Sequence, residues 1–249
     1  MVQLTYIIIS TFLIALIAFI GIFTLALKDK VLNKILLVLV SLSAGALMGG
    51  AFLHLMPEAI EEAEGTNFNV FLFVLVGFLL FFVIEKGLHW RHCHKGKCEV
   101  HTFSYMNLIG DSIHNFIDGL IISAGFISSI ELGITTVIAI AAHEIPQEIG
   151  DFGVLIYGGF KKKKAIILNF TVALTIVFGG VVGYFISSTV NQAVIFLLPF
   201  AAGGFIYIAA TDLVPEIKKE TDIKKSTATI LVFISGILLM WLVKLVFSH

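Results

Sequence analysis

Side chains able to bind metal are concentrated in two short stretches of the sequence. The first is HNFIDG at residues 114–119, in which His114, Asn115 and Asp118 follow Asp111 at helical spacing. In a helix, side chains three and four residues apart lie on one face. Imidazole and carboxylate groups are common ligands of Zn²⁺, Fe²⁺ and Mn²⁺, so this face is predicted to bind a metal ion.

The second stretch is HEIPQEIGDF, which begins at His143. His143, Gln147 and Asp151 form one row at a spacing of four, and Glu144 and Glu148 form the neighbouring row. Two such helices facing each other would present carboxylate, imidazole and amide groups to one ion.

Pro146 interrupts the backbone hydrogen bonding of the second stretch. Proline has no amide N–H, so it cannot donate to the carbonyl of Ala142. A simple kink explains this proline at least as well as direct ligation of a metal. A kink would also widen the backbone beside the ligands and help to admit an ion with some of its water.

The elements that carry these stretches are predicted to be membrane-spanning helices. The chain has 249 residues, of which 58% are hydrophobic and 13% charged, against roughly 25% charged in soluble domains. Its mean hydropathy is +1.03. Apolar stretches near the ~20 residues needed to cross a bilayer recur at about 4–27, 35–57, 68–88, 103–127, 131–158, 165–187, 193–214 and 228–247.

We therefore expect an all-α membrane protein with eight transmembrane helices in a single domain, 1–249. The first segment lacks the features of a cleaved signal peptide, so it is expected to be the first helix. In the fourth and fifth segments, His114 and His143 fall near the middle of the bilayer, since a helix rises ~1.5 Å per residue.

Ionisable side chains at that depth each cost a few kcal/mol. A bound cation would offset this cost. The alternative is a network of polar pairs that only holds two helices together, and the presence of two matching clusters favours the cation.

The distribution of basic residues predicts the orientation. Fifteen of the sixteen Lys and Arg residues lie in four alternate connections, within 28–34, 86–97, 161–164 and 218–225, and Lys244 is the exception. Because basic connections face the cytoplasm, both termini are expected on the extracellular or periplasmic side. The first outward connection carries acidic residues, Glu58, Glu61, Glu62 and Glu64.

Two internal similarities suggest inverted repeats. A shift of 158 positions superposes residues 44–60 on residues 202–217, and a shift of 29 superposes HNFIDG on HEIPQE. Each pair lies on segments that run in opposite directions, as in secondary transporters whose site lies at the repeat interface. Chance similarity between helices rich in small residues is the alternative.

Other polar residues are candidates for an ion pathway. His54 and Glu58 would mark its outer mouth, and Asp212 and Glu216 its inner mouth, although each pair would also suit a helix end at the interface. Met48 is either a soft ligand or a packing residue.

The connection at about 89–102 is rich in His and Cys and is expected to face the cytoplasm. Since the cytosol keeps thiols reduced, weak metal capture is favoured there over a disulfide, and a solvated loop without a metal is the alternative. The residues concerned are His92, Cys93, His94, Cys98 and His101.

These motifs resemble those of the ZIP (Zrt-, Irt-like protein) family of metal transporters. The resemblance rests on HNFIDG and HEIPQEIGDF, with support from FLHLMPEA and DLVPE, and it runs over all eight predicted segments. It implies an eight-helix bundle with a transport site between the fourth and fifth helices, selective for Zn²⁺ and often also for Fe²⁺, Mn²⁺ or Cd²⁺.

Carried over by motif position, the resemblance implies a primary site formed by His114, Asp118 and His143. An adjoining second site would use Asn115, Asp118 and Glu144, with Glu148 as a further candidate. Many relatives have His or Glu where this chain has Gln147. A neutral amide is a poorer ligand, so the choice between one and two metals stays open.

The expected function is therefore zinc uptake across the cell membrane, in which the metal is the substrate and no cofactor takes part. The expected partners are divalent ions and the bilayer, without nucleic acid, and a homodimer is considered. A broad-range Fe, Mn or Cd transporter is the alternative within the family.

Two rival classes remain. HEIPQ resembles the HExxH motif of zinc proteases, but Gln147 replaces the second His, so an enzyme is not expected. A metal sensor would need an output domain, which the 249 residues do not offer.

Overall fold

The computed structural model describes residues 2–26, 29–92, 100–187 and 190–247, and it is helical without a β-strand in these ranges. Two π segments and one turn join some of its α-helices into longer rods, and a 3₁₀ segment, Leu16–Ala26, extends the first helix. The helices are α1 (Val2–Ala15), α2 (Asp29–Gly50), α3 (Met56–Glu62), α4 (Val70–His92), α5 (Thr102–Ser128), α6 (Ile130–Tyr157), α7 (Lys162–Ala173), α8 (Thr175–Phe185), α9 (Val190–Tyr207), α10 (Val214–Lys218) and α11 (Ile223–Phe247).

The all-α prediction is confirmed over the described residues. Six stretches are long and apolar enough to cross a membrane: Val2–Gly21, Ile35–Glu62, Val70–Gly87, Lys162–Phe185, Ala193–Lys218 and Ile223–Val246. The other two predicted spans correspond to α5 and α6, with 27 and 28 residues. At ~1.5 Å per residue these are long enough to span, but they carry the buried polar side chains. Helix α4 also continues to His92, so the predicted loop 89–102 begins inside a helix.

Two π-helical segments coincide with the sequence repeat. They comprise Ala51–Leu55 and Ile208–Leu213, and each is followed within two residues by a proline, Pro57 or Pro215. The Met56 N–H donates to the Ala51 carbonyl and the Val214 N–H donates to the Ala209 carbonyl. Both bonds span five residues, and the two bonds are separated by the shift of 158 positions that defines the sequence repeat.

The π segments have a simple cause. Proline lacks the N–H that an α-helix requires four residues after each carbonyl, and the wider π turn relocates the backbone bonds around it. His54 and Asp212 each lie in one of these segments. The tertiary structure thus gives the two similar sequences the same local distortion.

Glycines set two equivalent helix crossings. Helix α2 packs on α11, where a Cβ at Gly45 would meet the backbone carbonyl oxygen of Phe233. Helix α9 packs on α4, where a Cβ at Gly203 would meet the carbonyl oxygen of Val74. Gly203 is Gly45 shifted by the repeat, so related glycines permit both close approaches.

We expect Gly45→Ala to destabilise the bundle, because its methyl group requires α2 and α11 to move apart. Overpacking of this kind costs about 1–3 kcal/mol, which corresponds to a melting temperature lower by on the order of 5 °C. Thermal unfolding of the purified protein in detergent measures the change.

Gly87→Ala is the matched control, since nothing lies within 4 Å of a Cβ at Gly87 on α4. Alanine there should leave stability unchanged or raise it, because glycine is the poorer helix former. Equal melting temperatures for the two variants would contradict the close crossing.

A tight connection sets helices α5 and α6 side by side. Only Ser129 separates them, and its side chain accepts a hydrogen bond from the Leu132 N–H at the start of α6. A Cβ at Gly125 would lie 3.2 Å from the Cα of Gly133, so the two helices begin in close contact. They run antiparallel, which brings the middle of α5 opposite the middle of α6.

Candidate metal-binding site

Four side chains from α5 and α6 converge in the interior and are called here the primary cluster: His114, Asp118, His143 and Glu144. The two His Nε2 atoms are 3.3 Å apart, and His143 Nε2 lies 3.0 Å from Asp118 Oδ2. His114 Nε2 lies 3.5 Å from Asp118 Oδ2 and 3.4 Å from Glu144 Oε1. One ligand atom from each residue lies within 4.8 Å of all the others.

Four of the donor pairs, at 3.0–3.5 Å, match the spacing around a single tetrahedral metal ion, whereas His143 Nε2 and Glu144 Oε1 are 3.9 Å apart. Ligand distances of about 2.0–2.1 Å place tetrahedral donor atoms about 3.3 Å apart. The exposed fractions are 4% for His114, 2% for Asp118, 8% for His143 and 1% for Glu144. Water therefore competes little for the donor atoms. Two imidazoles and two carboxylates are a donor set that borderline divalent ions accept.

The other residues of the two predicted rows have different surroundings. Asn115 donates its amide to Asp111 Oδ1 at 2.8 Å. Both amide atoms of Gln147 are buried without a hydrogen-bond partner among the described residues. Glu148 accepts from Asn169 on α7 rather than joining the primary cluster.

A cavity of about 670 Å³ leads to the primary cluster, with His114, Asp118 and His143 in its wall. Its lining also includes His54, Glu58, Glu61, Glu62 and Lys244. An acidic cavity of this kind would attract cations.

His54 and Met48 differ in their surroundings. His54 Nε2 is 2.8 Å from the carbonyl oxygen of Met240, and its ring centroid is 5.7 Å from that of His143. His54 is therefore next to the primary cluster and in the cavity wall. Met48 is partly buried and packs against the main apolar core.

The predicted inner-mouth residues lie on the second π segment and on α10. Asp212 is buried, and its Oδ2 has no hydrogen-bond partner in the part of the chain that the structure describes. Glu216 accepts a hydrogen bond from the hydroxyl of Tyr157 at 3.1 Å and pairs with Lys219 at 2.5 Å. Tyr157 ends α6, so this bond ties α6 to α10.

The prediction for the His- and Cys-rich connection cannot be placed in full. Cys93, His94 and Cys98 lie outside the described residues, and His92 is the last residue of α4. The N–H of His101 donates to the carbonyl of Gly158 at 2.8 Å, and its ring stacks on Phe103.

Three partners of the polar residues were missed in the sequence. Asn169 is the only amide side chain in the sixth predicted segment, a signal that would have identified it. Ser43 donates to Asp151 Oδ1 at 3.2 Å from α2, and Tyr157 bonds Glu216. Neither Ser43 nor Tyr157 follows the spacing of the metal-binding motifs, so only the packing of α2 and α10 reveals them.

Comparison with known proteins agrees with the motifs and the cluster. Residues 2–102 and 89–244 match the model of the ZIP zinc transporter family. The chain is 32% identical to zinc transporter ZIP13 of Mus musculus, in an alignment that covers 83% of this chain and 69% of that protein. It is 31% identical to zinc transporter zipt-7.2 of Caenorhabditis elegans, covering 85% of this chain and 58% of that protein. The zinc transporter ZIP13 homolog of Drosophila melanogaster is 29% identical, over 89% of this chain and 81% of that protein.

The match runs over nearly the whole chain and includes the helices that carry the primary cluster, so this protein belongs to the ZIP zinc transporter family.

Proposed function

We propose that this protein carries Zn²⁺ into the cytoplasm through the primary cluster between α5 and α6. The observation that carries the proposal is a set of four buried donors within 4.8 Å of one another, reached from an acidic cavity. The names of the relatives support zinc as the substrate. The donor set also suits Fe²⁺, Mn²⁺ and Cd²⁺, and a broader range is the alternative.

The charge of the primary cluster favours a divalent ion. With both imidazoles neutral, Asp118 and Glu144 contribute two negative charges. A divalent ion balances these charges, whereas a monovalent ion would leave one buried charge uncompensated, which is costly in a poorly solvated site.

We infer an orientation with both termini outside and all eight rods across the membrane. The alternate placement of Lys and Arg supports it, and the cavity lined by Glu58, Glu61 and Glu62 then opens outward. The protein would reside in the cell membrane, with residues around 89–102 capturing metal on the cytoplasmic side, and a homodimer is compatible with these features.

Import follows from this orientation. An inside-negative potential favours inward movement of a charge by ~2.3 kcal/mol per 100 mV, and a divalent ion gains about twice that. Acidic residues at the outer mouth would raise the local concentration of ions before they reach the primary cluster.

Uptake by liposomes of known protein orientation tests the proposal. With an inside-negative potential, vesicles that hold the outward-facing protein should accumulate zinc in their lumen, as reported by a trapped fluorescent zinc indicator. Vesicles without protein are the control. Zinc movement only out of these vesicles would contradict import, and no movement in either direction would contradict transport.

A further inference from the structure

We propose a second divalent-cation site inward of the primary cluster, between the carboxylates of Asp111 and Asp151 and completed by Gln147 and Ser43. We call these four residues the inner site. It rests on the proposed function and deepens it, because it gives an ion leaving the primary cluster a place to bind before release.

The inner site repeats the geometry of the primary cluster two helical turns away. Asp118 and Glu144 place ligand atoms within 4.8 Å of each other across the antiparallel pair of helices. Seven residues back along α5 from Asp118 is Asp111, and seven residues forward along α6 from Glu144 is Asp151. Two turns of helix are about 7.2 residues, so both carboxylates return to the faces that bear Asp118 and Glu144, about 11 Å further along the axis.

This position lies beyond the end of the outer cavity. On α5 the cavity is lined by His114, Asp118 and Ile121, and on α6 by residues between Leu132 and His143. Asp111 and Asp151 lie on the opposite side of the two histidines along both helices. An ion must therefore pass the primary cluster before it reaches the inner site.

The inner site has free donor atoms in a buried setting. Asp111 Oδ1 accepts from Asn115, and Asp151 Oδ1 accepts from Ser43 Oγ at 3.2 Å. The second oxygen of each carboxylate and both amide atoms of Gln147 have no hydrogen-bond partner within the described ranges, and the buried Asn107 amide lies beside Asp151. Asp111, Asp151 and Gln147 are 4%, 1% and 1% exposed.

Buried polar atoms without a partner destabilise the fold, and a shared ion would satisfy three of them together. The two carboxylates also interact electrostatically with each other. The ion pairs of Lys219 with Glu216 and of Lys225 with Glu220 both lie outside the inner site. A divalent cation would balance both buried charges at once.

The donor chemistry makes the inner site weaker for zinc than the primary cluster. All of its donors are oxygen atoms, which suit harder ions such as Mn²⁺ and Mg²⁺, whereas imidazole adds affinity for Zn²⁺. A tight site followed by a weaker one allows an ion to leave inward, since throughput needs sites that fill and also empty. Gln147 lies four residues after His143 and four residues before Asp151, so it is the residue of the inner site on α6 that is nearer to the primary cluster.

Mn²⁺ binding to the purified full-length protein tests the inner site. Free Mn²⁺ is counted by its electron paramagnetic resonance signal during titration. In a His114→Ala/His143→Ala background, which removes the imidazoles of the primary cluster, we expect about one bound Mn²⁺ to remain. Adding Asp111→Asn and Asp151→Asn should abolish this binding or weaken it at least tenfold.

Glu131→Gln in the same background is the matched control, because Glu131 is an exposed carboxylate at the start of α6. It should leave Mn²⁺ binding unchanged. If the aspartate variants do not fold, Gln147→Ala provides the same measurement, with about tenfold weaker binding expected.

Binding that is lost in the His114→Ala/His143→Ala background, or retained unchanged after the Asp111 and Asp151 substitutions, would overturn the inner site. If Asp111 and Asp151 hold protons rather than a metal ion, no Mn²⁺ will bind in the His114→Ala/His143→Ala background. Failure of the proposed function is a separate outcome. It would appear as absent zinc transport by the unmodified protein in liposomes, and the number of bound Mn²⁺ ions does not affect that result.

Discussion

Replacing His114 or Asp118 by alanine is expected to abolish zinc uptake while the protein remains folded in the membrane. Each substitution removes a donor from a cluster of four and leaves the remaining donors unable to complete a tetrahedral shell. Loss of residues that only orient a metal ligand already costs about 10–100-fold, and loss of a ligand should cost at least as much. Initial rates of zinc uptake in proteoliposomes measure the effect.

Glu131→Ala is the control for the loss of a carboxylate, since Glu131 lies on the exposed start of α6. Its uptake should match that of the unmodified protein. Gel filtration and thermal unfolding establish that the His114 and Asp118 variants are folded. Near-normal uptake in both variants would show that the primary cluster is not the transport site.

Gln147→Glu is expected to tighten zinc binding without increasing the maximal rate. The substitution adds a carboxylate one helical turn from His143, in a buried layer where screening is weak. A unit charge near a divalent ion in such a site contributes several kcal/mol at an effective dielectric constant of about 20. Part of this gain is offset because the added charge is itself desolvated. A net gain of about 1.4 kcal/mol would lower the half-saturation concentration about tenfold.

An ion held more firmly also leaves more slowly, so the maximal rate should stay equal or fall. Zinc uptake measured over a range of concentrations separates the two quantities. Gln147→Ala controls for simple loss of the amide and should not tighten binding. Should Gln147→Glu change neither quantity, Gln147 would lie outside the pathway.

Hydropathy predicted the helices well because lipid-facing and buried surfaces are both apolar in this chain. Each of the six apolar spans contains or overlaps a predicted segment. The largest difference at a helix end is at α2, which begins at Asp29, six residues before the predicted segment 35–57. Polar residues are compatible with a helix outside the bilayer, so hydropathy does not mark where such a helix ends.

Helical spacing identified the residues of the primary cluster but not how they divide between sites. His143 was grouped with Gln147 and Asp151, yet its neighbour in the cluster is Glu144, from the adjacent row. Because facing helices approach along a narrow line, side chains of two adjacent rows can reach the same point. Glu148, from the same row as Glu144, instead bonds Asn169 on a third helix.

Lys244 illustrates a limit of the charge pattern. It was the exception to the alternate placement of basic residues, and its position in the sequence offered no reason. The structure places it in the wall of the cavity that also contains Glu58, Glu61 and Glu62, where a cation lies among carboxylates. Contact between α11 and the end of α2 decides this environment.

The sequence by itself determined the all-helical class, the family and the residue types of the candidate metal site, because apolar length, motif letters and helical spacing are local properties. It also contained the repeat, since Pro57 and Pro215 impose π segments through their missing N–H groups. Only the tertiary structure decided which donors meet. His143 lies 3.0 Å from Asp118, and Glu148 bonds Asn169 on α7. Both contacts depend on the distance between the helices and on their relative shift along the helix axes. Those quantities arise from contacts between residues far apart in the chain, such as Gly45 with Phe233, which no local pattern encodes.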